Sequence, residues 1–75
     1  MRKNMDNKRR GDVIQIDIDQ CYGIIIDENG QDIRFLLSEM SGEVGINSKV
    51  IFEIELSRHG LVATNIVLAK ELIKI

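Results

Sequence analysis

A chain of 75 residues is one domain's worth of sequence, small enough that folding buries only about 60% of the surface the unfolded chain exposes. It is rich in isoleucine, lacks proline and tryptophan, and has no apolar run near the length of a membrane span. The formal net charge of −2 hides an asymmetry, because residues 1–10 carry five basic side chains against Asp6 while residues 11–75 carry five against eleven acidic ones. An acidic body repels a phosphate backbone, so strong generic nucleic-acid binding by residues 11–75 alone is not expected. The basic start is not followed by an apolar segment, so no signal-peptide pattern is visible. The single cysteine, Cys21, cannot form an internal disulfide, and the expected compartment is a reducing cytoplasm.

In chain order, Met1–Arg10 has no apolar periodicity and reads as a disordered basic arm. Gly11–Asp19 follows as a strand, with Ile14, Ile16 and Ile18 alternating with Val13, Gln15 and Asp17. Cys21–Leu37 reads as two strands around a tight turn at Asp27-Glu28-Asn29-Gly30, since Asn-Gly between β-branched runs is a strong hairpin signal. Alternation points Ile25, Ile33 and Phe35 into a core and gathers Tyr22, Ile24, Arg34 and Leu36 on the other face. Ser38–Ser48 is a connection with Gly42, Gly45 and Asn47 as turn residues, and Leu37–Met40 has room for one helical turn. Lys49–Leu56 alternates Val50, Phe52 and Ile54 with Glu53 and Glu55, and Ser57–Gly60 turns the chain into a last strand over Leu61–Ile66. The tail, Val67–Ile75, is apolar at Leu68, Leu72, Ile73 and Ile75; an extended strand, a short helix and a contact with a second copy all fit it. These spacings, with no long helical period, predict an all-β fold: a five-stranded antiparallel Greek-key barrel of the OB type over residues 11–68, with residues 69–75 as an extension.

Five stretches resemble the cold-shock domain, a small nucleic-acid-binding barrel of the OB class. Gly11-Asp12-Val13-Ile14-Gln15-Ile16-Asp17 is similar to that family's Gly-x-Val-Lys-Trp-Phe-Asn. Tyr22-Gly23-Ile24-Ile25 lies where the family has Phe-Gly-Phe-Ile, and Asp32-Ile33-Arg34-Phe35-Leu36 with Ser38 lies where it has Asp-Val-Phe-Val-His and a serine. Gly60–Ile66 matches Gly-Pro-x-Ala-x-Asn-Val except at the proline, and Val50-Ile51-Phe52 resembles the strand Val-x-Phe. Asn47 stands where the family has glycine, and Gln20-Cys21 where it has Lys-Gly.

The resemblance implies binding of single-stranded nucleic acid, RNA rather than DNA, by base stacking worth about 1–3 kcal/mol per contact. Of the stacking positions, Tyr22 keeps an aromatic ring, while Gln15, Ile24, Arg34 and Leu36 replace aromatic residues or histidine. The guanidinium of Arg34 can itself stack on a base. The candidate nucleic-acid-binding set is Tyr22, Arg34, Gln15, Ile24 and Leu36, with Arg58 and His59 as a basic lip and Arg9 and Arg10 from the arm. The alternative is a protein-interaction or oligomerisation module, in which Ile24 and Leu36 form an apolar contact face, with a homodimer or a protein partner. Enzyme activity is not expected, because no acid–base, nucleophile or metal constellation appears. Glu53 and Glu55 read as solvated residues of an outer face, and His59 has no nearby Cys or His with which to share a metal. No cofactor and no membrane partner are expected.

Overall fold

The alternating pattern becomes five strands. The computed structural model describes residues 8–69, in which β1 (Lys8–Asp17), β2 (Tyr22–Asp27), β3 (Asp32–Leu36), β4 (Lys49–Ser57) and β5 (Gly60–Leu68) form a closed barrel in the order β1-β2-β3-β5-β4. The expected arm through Arg10 and the expected tail from residue 69 fall largely outside these residues. Where they overlap, the arm is shorter than expected: Lys8, Arg9 and Arg10 pair with Glu53, Phe52 and Ile51 of β4. Pairing needs only backbone N–H and C=O groups, so the three exposed basic side chains do not prevent it.

The expectation of a wholly antiparallel barrel is corrected at one seam, where β3 and β5 run parallel through Arg34↔Val62 and Phe35↔Ala63. The reason is geometric. Each antiparallel pairing reverses strand direction, so a ring with an odd number of strands cannot close on antiparallel pairs alone. The other four pairings are antiparallel.

Val13, Ile25, Ile33, Phe35, Val44, Val50, Phe52, Ala63 and Ile66 fill the barrel. Full burial of Phe35 or Phe52 stabilises the fold by about 1.5–3 kcal/mol each relative to exposure. Strands β2 and β3 show the expected alternation, and Ile25, Ile33 and Phe35 point inward as the sequence implies, whereas β5 buries the consecutive Ala63 and Thr64. β1 departs from it. A register shift between Val13 and Gln15 makes Ile14 the extra residue of a bulge, so Val13 is the buried residue and Ile14 is 46% exposed. Ile16 still packs against the core, but Ile18 lies in the following turn and is 75% exposed.

Two close approaches depend on particular residues. A Cβ added at Gly23 would stand 2.3 Å from Cζ of Phe35, so glycine lets the core ring pack directly against β2. Asn47, at φ +71°, occupies the left-handed position that its alignment with a glycine implies. The helical turn expected at Leu37–Met40 is a 3₁₀ turn over Leu37–Glu39, after which Met40 bridges to Ile66. Among the described residues, no helix is long and apolar enough to cross a membrane.

Candidate nucleic-acid interface

The outer face of β1, β2 and β3 brings five of the expected residues together. Register sets Gln15 opposite Ile24, Ile24 opposite Arg34, and Tyr22 opposite Leu36. Tyr22 and Arg34 are therefore diagonal neighbours across two strands, a separation that long side chains can span. The guanidinium carbon of Arg34 sits 4.8 Å from the centroid of the Tyr22 ring, over its face. From the other side, Nε2 of Gln15 donates to the Tyr22 hydroxyl at 3.2 Å. The ring is half-buried and held at both its face and its tip, while Arg34 is exposed. A planar cation thus sits over the face of the ring.

This arrangement changes the reading of the apolar residues. Ile24 is half-buried between Gln15 and Arg34 on its neighbouring strands, and only Leu36, 59% exposed, projects freely. Arg34 lies among these residues, as the sequence implies, and its guanidinium sits over Tyr22.

Two turns border the face. The β4–β5 turn carries Arg58 and His59, both exposed, and is fixed by Ser57, whose Oγ accepts the His59 N–H at 3.1 Å and donates to the Gly60 carbonyl at 2.8 Å. His59 and Arg34 line one groove between this turn and the β2–β3 turn. The β1–β2 turn is acidic, with Asp17 Oδ1 accepting the Gln20 N–H, and brings Cys21 into a left-handed conformation at φ +62°. Cys21 is an exposed turn residue, one position before the strand.

Arg9 and Arg10 do not join this group. They begin β1, whereas Gln15 is five residues further along, roughly 17 Å at the usual strand rise. Arg9 Nη1 pairs instead with Oδ2 of the buried Asp27 at 3.4 Å. Sequence reasoning also missed a groove beyond Arg34, formed by Leu36, Glu55, Val62 and Thr64. Its walls come from β3 and the β4–β5 hairpin, which meet only through the parallel seam, so no local pattern marks it. Among the described residues, no cluster of three or more metal-ligating side chains occurs.

No family model matches the sequence, and no curated protein matches it. The fold does have a counterpart among solved structures. Cold-shock domains 4–6 of Drosophila Unr superpose with a TM-score of 0.72 at 20% identity, over 89% of this chain and 29% of that one. The chain thus spans less than a third of that structure's length. At this identity the likeness concerns architecture alone. The described residues fold as a cold-shock-like OB barrel.

Proposed function

We propose that this barrel binds single-stranded nucleic acid, RNA in preference to DNA, on the outer face of β1–β3. The observation that carries the reading is the Arg34 guanidinium layered on the Tyr22 ring, with its outer plane open to solvent. A base stacks on that plane, and the positive charge attracts the adjacent phosphate. Gln15 fixes the supporting ring, Ile24 and Leu36 provide flanking apolar area, and Arg58 and His59 supply charge and hydrogen-bond donors at the edge. In OB folds the face of strands 2 and 3 and the loop between strands 4 and 5 are a common place for oligonucleotides, which supports this assignment. The arm contributes through charge alone, and the role is binding within a reducing cytoplasm rather than catalysis.

The test is a fluorescence titration of labelled RNA and DNA oligonucleotides, pyrimidine-rich and purine-rich, at low and moderate salt. Tyr22→Ala or Arg34→Ala is expected to weaken binding by about 1–3 kcal/mol, the usual worth of one stacking contact. Affinity unchanged by both substitutions would remove this face from the interface.

A further inference from the structure

The geometry points to a second base site, in the groove between β3, β5 and β4, that selects guanine; it rests on the stacking role proposed above. The groove has a volume of about 440 Å³, within the usual range for small-ligand sites. Leu36 and Val62 give it apolar walls, and Arg34 forms part of its rim. Arg34 therefore belongs both to the stack on Tyr22 and to this groove. A strand with one base on the Arg34 plane presents its next base here.

Two observations give the groove its selectivity. Thr64, in its lining, is buried, and its hydroxyl has no hydrogen-bond partner. A buried unpaired hydroxyl is uncommon in folded proteins and calls for an explanation, and a bound polar group supplies one. Two carboxylates, Glu39 and Glu55, also line the groove. Glu39 Oε1 accepts the Asn65 N–H at 3.0 Å, whereas Glu55 is exposed to solvent and has no hydrogen bond or ion pair among the described residues. Neither Arg34 nor His59, the two basic side chains in the lining, forms an ion pair with either glutamate.

A carboxylate presents two parallel acceptors. Guanine offers N1–H and N2–H side by side on its pairing edge, a matching donor pair, whereas adenine and cytosine offer one amino group there and uracil one ring N–H. Glu55 is the group that reads this edge, with the buried Thr64 hydroxyl beneath the same wall. The negative charge that weakens phosphate binding elsewhere on the body becomes a base-reading device at this position.

The experiment compares the full chain binding an all-uridine octamer with the same octamer carrying one central guanosine, at fixed salt. The guanosine is expected to tighten binding by roughly 5- to 150-fold, the worth of one good bidentate base contact. Glu55→Gln places an amide donor against the guanine donors and is expected to abolish that gain while changing the uridine octamer's affinity far less. Thr64→Val is expected to reduce the gain without affecting the uridine octamer. No gain from guanosine, or a gain that survives Glu55→Gln, overturns the inference, and the stacking role stands if Arg34→Ala still weakens the uridine octamer. Absence of binding to either octamer overturns both.

Discussion

Tyr22 and Arg34 form a layered pair in which each residue does a different job. The ring, pinned at its hydroxyl by Gln15, orients the guanidinium, and the guanidinium offers the exposed plane. Planarity is therefore the property that matters, and charge alone does not supply it. Arg34→Lys retains the charge and loses the plane, so it is expected to bind oligonucleotides nearly as weakly as Arg34→Ala, with about 1–3 kcal/mol lost. The titration described above checks this, and full affinity in Arg34→Lys would reduce the side chain to a point charge. Thr64 allows a test of a different kind. Its hydroxyl is buried without a partner, and such groups cost about 1–3 kcal/mol when left unpaired. Thr64→Val keeps the shape and removes the hydroxyl, so the melting temperature of the free protein should rise, by about 4–8 °C for each kcal/mol gained. A lower melting temperature would mean that the hydroxyl is already satisfied.

Among the elements, the β2–β3 hairpin shows how far local pattern carries. Asn29-Gly30 marks the turn in the sequence, and Gly30 takes the left-handed position at φ +80°. The same local logic finds Asn47, the inward face of β2 and β3, and the clustering of Tyr22, Ile24, Arg34 and Leu36. It fails where a residue's partner lies far along the chain. The bulge at Ile14 responds to β2, and the parallel seam follows from closing an odd ring; neither leaves a mark on the neighbouring residues. Asp27 is the clearest case. It reads as a turn residue, yet its carboxylate is buried, accepting N–H bonds from Asn29 and Gln31 at 2.9 Å each and pairing with Arg9, eighteen residues earlier. The hairpin turn and the start of β1 are joined through this one side chain. Asp27→Ala strands two turn amides and the Arg9 guanidinium, and is expected to destabilise the barrel by about 1–3 kcal/mol, read as a lower urea midpoint at constant m-value. A midpoint within error of wild type would show that water replaces the carboxylate at no cost.

For the whole molecule, charge limits how nucleic acid can be held. Three basic side chains of the described body are committed to carboxylates: Lys8 to Glu53, Arg9 to Asp27, and Lys49 to Asp12. Near the proposed interface this leaves Arg34 and Arg58 to meet phosphates, beside an acidic β1–β2 turn. Two phosphate contacts on a single strand give a slope of log affinity against log salt of about −1.4, shallow for a nucleic-acid-binding protein. Affinity then rests on stacking, and should survive moderate salt while remaining sensitive to Arg34 and Tyr22. The arm adds charge without adding a stacking surface, so the full chain should show a steeper slope, and removing residues 1–7, with Arg2 and Lys3, should return it to about −1.4 and leave the Arg34 dependence intact. Measuring the slope for the full and shortened chains separates the two contributions. A slope of about −3 or steeper that collapses on shortening, with no effect of Arg34→Ala, would assign binding to the arm and leave the barrel as its carrier.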